Sequence, residues 1–144
     1  MIRVTRRYRF SASHRLHAPG LSEQENRDLY GKCNHPFGHG HDYELEVSVR
    51  GPVDARSGQA ADIRRLDRLV GEQVLADFDH RNLNQEVDAF RLVVPTSENL
   101  GVEVCRRLKR NWAAVFPGSW PKLEKIRIHE TGRNIFEVSE HEIQ

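Results

Sequence analysis

His39-Gly40-His41-Asp42-Tyr43-Glu44-Leu45-Glu46-Val47-Ser48-Val49-Arg50 is the stretch on which the fold turns. From Asp42 to Arg50, Tyr43, Leu45, Val47 and Val49 alternate with Glu44, Glu46, Ser48 and Arg50. Successive strand side chains point to opposite faces, so this alternation predicts a half-buried strand. Gly51-Pro52 stops it, and Asp54 to Gly58 is turn chemistry. His39 and His41 open the strand two positions apart, which puts both imidazoles on one side of it.

Working outward, Ile2 to Phe10 also alternates, except at Arg6, and predicts a first strand. Downstream, Asp62 is a plausible N-cap for a helix whose apolar residues Ile63, Leu66, Leu69, Val70, Val74 and Phe78 recur at helical spacing. A second helix begins after Pro95 with Thr96 or Ser97 as cap and Glu98 in its first turn, where the helix dipole favours a carboxylate. Leu100, Val104, Leu108 and Val115/Phe116 continue its stripe until Pro117-Gly118. Two short strands close the chain, Lys122 to His129 and Asn134 to Val138, around Thr131-Gly132-Arg133. Strands that bracket helices, instead of alternating with them, predict an α+β fold of order β-β-α-α-β-β. The expected sheet is four-stranded and antiparallel with two helices on one face. Its two free edges point to assembly through the sheets.

The chain has 144 residues, 22 Lys+Arg against 21 Asp+Glu, 38% apolar and 30% charged residues. That supports one domain, residues 1–144, with a real core. A net charge of +1 argues against a nucleic-acid binder that works by bulk charge. The short apolar runs give no expectation of a spanning helix, a signal segment or a membrane partner. Two cysteines, Cys33 and Cys105, make no disulfide framework and favour a reduced, cytoplasmic setting. Cys105 falls in the apolar stripe of the second helix, where packing is its expected role.

The outlier is histidine: eight residues, five of them within the first 41. If the first two strands pair antiparallel, His14 at the end of one lies beside His39 and His41 at the start of the other. Three neutral imidazoles leave a position open for water or substrate, the pattern of catalytic zinc. His17 and His35 compete with His14 for the third place; His17 lies beyond the strand end and His35 precedes Pro36. Cys33 falls in the Gly-rich loop before His39, where a thiolate suits a base, a nucleophile or a fourth ligand. Asp79-His80, after the first helix, reads equally as a proton relay or as a solvated turn.

Taken together, Phe10-Ser11-Ala12-Ser13-His14-Arg15-Leu16, Glu25 to Asn34 and Gly38-His39-Gly40-His41-Asp42-Tyr43 resemble the 6-pyruvoyltetrahydropterin synthase family. So do Arg50-Gly51-Pro52-Val53-Asp54, Asp79 to Asn84, Pro95-Thr96-Ser97-Glu98-Asn99-Leu100 and His129-Glu130-Thr131, in the family's order. The resemblance implies the tunnelling fold, with trimers closing a barrel and stacking as a homohexamer, active sites between subunits, and 7,8-dihydroneopterin triphosphate as substrate. Carried over by position, His14, His39 and His41 are the Zn²⁺ ligands and Cys33 the general base. His80, oriented by Asp79, completes the relay, and Glu130 anchors the pterin ring. Thr96 and Ser97 line the same pocket or simply cap their helix. Lys32, Arg15 and Arg133 are candidates for the triphosphate on charge and location.

Two reactions share this substrate. One eliminates triphosphate to give 6-pyruvoyltetrahydropterin for biopterin-type cofactors. The other releases acetaldehyde and triphosphate to give 6-carboxytetrahydropterin on the queuosine route. Five residues separate Cys33 from His39, which is similar to the pyruvoyl enzymes, whereas the carboxy enzymes more often have three. The spacing sets where the base reaches and favours the first reaction. Two departures from the pattern are His35 and Asp42, each where an Asn is usual. A non-catalytic pterin-binding or scaffold module is the remaining reading, and the completeness of the site speaks against it.

Overall fold

The computed structural model describes all 144 residues. The alternating stretch becomes β2 (His39–Gly51), and the N-terminal stretch becomes β1 (Ile2–His14). They pair antiparallel from Ile2 opposite Gly51 to His14 opposite His39. β4 (Lys122–His129) joins the other side of β2, and β5 (Ile135–Ser139) joins β4, both antiparallel.

One strand departs from expectation. β3 (Arg81–Asn82) runs parallel to β1 at Ala12 and Ser13, so the sheet is mixed and five-stranded, in the order β3-β1-β2-β4-β5. A two-residue strand has no periodicity to read. It is fixed by tertiary contacts: the Ser11 amide donates to the Asp79 carboxylate at 2.9 Å, and the His80 amide donates to the Ser11 carbonyl at 2.6 Å.

The first expected helix is α2 (Ile63–Val70), capped by Asp62, which accepts from the amides of Arg64 and Arg65 at 3.0 and 3.3 Å. It continues through a π turn (Gly71–Leu75) into α3 (Ala76–Phe78). Apolar spacings of three and four suit regular or locally wider winding, so the sequence pattern does not mark the π turn. α4 (Leu83–Glu86) is a single turn capped by Asn82. The second expected helix is α5 (Ser97–Val115), with Thr96 as its cap, accepting from the Asn99 amide at 3.2 Å.

α1 (Glu23–Tyr30) was not anticipated, although Ser22 and Glu25 form a capping box whose Ser-x-x-Glu spacing is visible in the sequence. Its Asn26 is fully buried and ties down the preceding loop: it accepts from the Ala18 amide at 2.7 Å and donates to the carbonyls of Ala18 and Ser22.

The core lies between one sheet face and α2, α3 and α5. Tyr43, Leu45, Val47, Ile126 and Ile128 meet Leu66, Val70, Val74, Phe78, Leu100, Val104 and Leu108, all buried. A β-carbon on Gly101 of α5 would come within 3.0 Å of the Val138 side chain, so glycine lets the helix approach β5. Cys105 is buried in this core, and desolvation pushes its thiol up to about 11. No helix is long and apolar enough to cross a membrane.

Candidate active site

The β1–β2 register sets His14 opposite His39 and Ala12 opposite His41, on the face that carries Tyr43. The rings pack edge-on: His14 and His41 have centroids 4.9 Å apart, His39 and His41 4.7 Å. His14 is 0% exposed. Its Nδ1 donates to the Pro95 carbonyl at 2.9 Å, and the Tyr43 hydroxyl lies 3.3 Å from the same nitrogen. A carbonyl only accepts, so Nδ1 carries the proton and Nε2 presents a lone pair. That Nε2 is buried without any hydrogen-bond partner. An orphaned buried polar atom costs about 1–3 kcal/mol, which a bound cation would offset.

Burial is the main cause that lowers the pKa of both His14 and His41; the Glu130 carboxylate opposes it and the His39 imidazole adds to it. Both rings are thereby held neutral, the form a metal requires.

Cys33 reaches the centre because its loop folds back. It sits in a 3₁₀ turn (Gly31–Asn34) whose Cys33 carbonyl accepts from the Leu16 amide at 2.7 Å. The Asn34 side chain donates to the Leu16 carbonyl at 2.7 Å, and Arg15 Nε donates to the Asn34 carbonyl at 3.1 Å. Gly38 closes the loop at φ 86°, with a would-be β-carbon 3.1 Å from the His14 carbonyl oxygen, a place for glycine alone.

Cys33 Sγ consequently lies 3.7 Å from His41 Nε2. A tetrahedral zinc centre, with bonds of about 2.3 Å to sulfur and 2.0–2.1 Å to nitrogen, separates two such ligands by about 3.6 Å. The donor atoms of His14, Cys33 and His41 all lie within 4.8 Å of one another, a group able to hold a metal ion. His39 stands beside that group, against the His41 ring. Burial, with the Glu130 charge second, raises the pKa of Cys33; a cation or an imidazolium next to the sulfur acts in the opposite sense.

Glu130 follows β4 and is held from two sides. Its amide donates to the Asn134 carbonyl at 3.2 Å, and its carboxylate accepts from the hydroxyl of buried Ser97. Glu130 Oε1 is 3.8 Å from His41 Nε2, so the carboxylate faces the imidazole group. Ser97 therefore touches Glu130, whereas the Thr96 hydroxyl caps α5.

Asp79 and His80 lie beside β1, just before β3. Asp79 holds the Ser11 amide, and His80, at φ 59°, lines a cavity that it shares with Ser11, Ser13, His41 and Asp42. The two side chains are 3.7 Å apart and the imidazole is exposed. The Cys33 sulfur makes its one hydrogen-bond-range contact with His41, not with His80. Lys32 and Arg15 line a cavity on the His39 side of the centre; Arg133 lies exposed in the turn after Glu130, its amide donating to the Thr131 hydroxyl. His17 accepts from the Asn34 side chain through Nδ1 at 3.2 Å and braces the loop.

Two supporting groups were not read from the sequence. The Pro95 carbonyl fixes the His14 tautomer, and a backbone acceptor leaves no sequence signal. Asn84 pairs with the backbone of residue 15, accepting from its amide at 2.7 Å and donating to its carbonyl at 2.9 Å, which pins the end of β1 beside His14. Asn84 is the last residue of the Asp79 to Asn84 motif, the one hint available.

The family profile described as "6-pyruvoyl tetrahydropterin synthase" matches residues 3–141. The chain is 45% identical over 132 residues to the 6-pyruvoyl tetrahydrobiopterin synthase of Poecilia reticulata, covering 92% of this chain and 86% of that one. It is 40% identical over 132 residues to the human protein of the same name, covering 92% and 87%. The structure of Caenorhabditis elegans 6-pyruvoyl tetrahydropterin synthase superposes with a TM-score of 0.84 at 40% identity, covering 96% of this chain and 94% of that one.

Proposed function

The chain belongs to the 6-pyruvoyl tetrahydropterin synthase family, and from that membership we propose a lyase that eliminates triphosphate from 7,8-dihydroneopterin triphosphate to give 6-pyruvoyltetrahydropterin. The observation that carries the site is the orphaned, buried His14 Nε2 facing His41 and Cys33. His14, His39 and His41 are assigned as the residues that hold Zn²⁺. A zinc ion there supplies Lewis acidity, which makes carbon-bound protons of the substrate side chain easier to remove.

The chain's own groups do the rest. Glu130 accepts two parallel N–H bonds from the 2-amino group and ring N–H of the pterin, and Ser97 holds that carboxylate in place. Cys33 Sγ takes the proton from carbon, which its position 3.7 Å from His41 Nε2 allows once the sulfur is deprotonated. His80, oriented by Asp79, is assigned to return a proton, and the family resemblance puts it in the site of a neighbouring subunit. Lys32, Arg15 and Arg133 are assigned to the triphosphate, and Thr96 to the pocket wall.

The strand edges support an assembly of several copies. β5 has no outer neighbour, and β1 is paired by β3 only at Ala12 and Ser13, so two strand edges are free to join neighbouring copies. We assign these edges to the trimeric barrel of the tunnelling fold, stacked as a homohexamer. With two unpaired cysteines, the compartment that suits it is the cytoplasm.

The deciding experiment is incubation with dihydroneopterin triphosphate and identification of the products. 6-Pyruvoyltetrahydropterin with inorganic triphosphate is expected; 6-carboxytetrahydropterin with acetaldehyde overturns the assignment. Light scattering should give about six times the monomer mass, and a monomer would remove the inter-subunit role of His80.

A further inference from the structure

On the His39 side of the centre a cavity of about 650 Å³ opens, lined by Arg15, Glu23, Arg27, Lys32, His35 and His39. Three permanent cations and two imidazoles thus face one carboxylate. The arginines take neutral partners: Arg15 Nε donates to the Asn34 carbonyl at 3.1 Å, and Arg27 Nη2 to the Gln24 amide oxygen at 2.9 Å. Their charges remain available to a ligand.

His35 adds a directed donor. Its Nδ1 accepts from the Phe37 amide at 3.3 Å, which puts the proton of the neutral ring on Nε2. Arg27 rides on α1 next to Asn26, whose buried amide clamps that helix to the loop before it. The cation therefore projects from a fixed element.

The order of groups across the site matters most. Glu130 Oε1 lies 3.8 Å from His41 Nε2, the His41 ring packs on His39 at 4.7 Å, and His39 lines the basic cavity. A carboxylate, a donor cluster and a cationic cavity follow one another. A substrate with a pterin ring at one end, a three-carbon side chain in the middle and a phosphate chain at the other end matches that sequence. Arg133 sits at the Glu130 end, outside this cavity.

We propose that this cavity seats the polyphosphate arm of the substrate, and that Arg27 and His35, with Lys32 and Arg15, bind it. The proposal rests on the substrate named under the proposed function. It adds Arg27 and His35 to Lys32 and Arg15 as phosphate contacts within this cavity. Glu23, the lone carboxylate of the wall, opposes the anion.

Inorganic tripolyphosphate tests this without any turnover. Isothermal titration into the full-length protein compares wild type with Arg27→Gln, His35→Asn and Glu23→Gln, circular dichroism verifying the fold of each. Arg27→Gln and His35→Asn should each weaken tripolyphosphate about fivefold or more, and Glu23→Gln should tighten it. Neopterin, which has no phosphate, should bind all four proteins alike. In turnover, the first two variants should raise KM for the triphosphate substrate with little change in kcat. Tripolyphosphate affinity unchanged within about twofold in both variants, or an equal loss for neopterin, overturns the proposal. If tripolyphosphate shows the expected dependence but dihydroneopterin triphosphate is not consumed, the anion site stands and the proposed reaction falls.

Discussion

The two ends of the β1–β2 ladder are built from the same alternation and treat their polar groups in opposite ways. Near the start of β1, Arg6 interrupts the apolar face, and the structure shows why that is tolerated. Its guanidinium holds both oxygens of Asp67 on α2, at 3.1 and 3.0 Å, while the Tyr8 hydroxyl donates to the same carboxylate at 2.8 Å. Every group there has a partner. At the other end His14 keeps one nitrogen buried and unsatisfied, His41 is held neutral, and Cys33 is raised above the usual thiol range. One end of the ladder holds the strand to a helix; the other keeps lone pairs free for chemistry.

Four substitutions break or sharpen that contrast, in falling order of effect. His14→Ala should cost the most: metal affinity should fall well beyond the roughly 10–100-fold typical of an outer-shell partner, and activity with it. Metal content by mass spectrometry checks this, and unchanged occupancy would move the third ligand to His35 or His17. Cys33→Ala should lower kcat about 10²–10⁴-fold, the usual worth of a general base, with zinc still bound. Loss of zinc in that variant would make Cys33 a ligand instead.

Glu130→Gln comes next. Replacing a charged acceptor of two N–H bonds should weaken pterin binding about 10–150-fold, from about 1.5–3 kcal/mol for hydrogen bonds to a charged group, with metal content unaltered. Fluorescence titration with neopterin measures it.

Asp67→Asn, at the other end, should leave metal and activity alone and cost less than about 1 kcal/mol, because the pair is solvent-screened, with side chains 49% and 39% exposed. Arg6 holds the Asp67 carboxyl below the usual carboxylate range. The folded pKa lies below the unfolded one, so this stabilisation is present above the unfolded value of about 4 and is lost as pH falls through the folded value. Urea midpoints at neutral and acid pH should show a smaller acid loss in the variant than in wild type. An equal loss would mean that the pair adds nothing.

Particular residues show how much was legible. Asp62 and Thr96 were readable as caps because a short polar side chain before an apolar stripe has one dominant use. Two alternating runs marked β1 and β2 as strands; their antiparallel pairing, a condition in the sequence reading, is present and brings His14 to His39. The fold-back of the Cys33 loop was not readable: it depends on Asn34 reaching the Leu16 carbonyl and on the positive φ of Gly38, contacts between residues distant in the chain or set by backbone shape. β3 escaped for the same reason, since two residues joined through Asp79 carry no periodic signal.

From sequence alone came the α+β class, the half-buried strands, the two main helices and the histidine cluster with Cys33, because periodicity and side-chain type are local properties; Glu130 came from the family resemblance. Only the tertiary structure decided the His14 tautomer, the distance from Cys33 to His41, the approach of Glu130 to His41 and the cationic cavity beside His39. Those depend on which backbone carbonyl, buried amide or turning glycine meets which side chain across the fold. Such meetings belong to the packed chain and to no stretch of it.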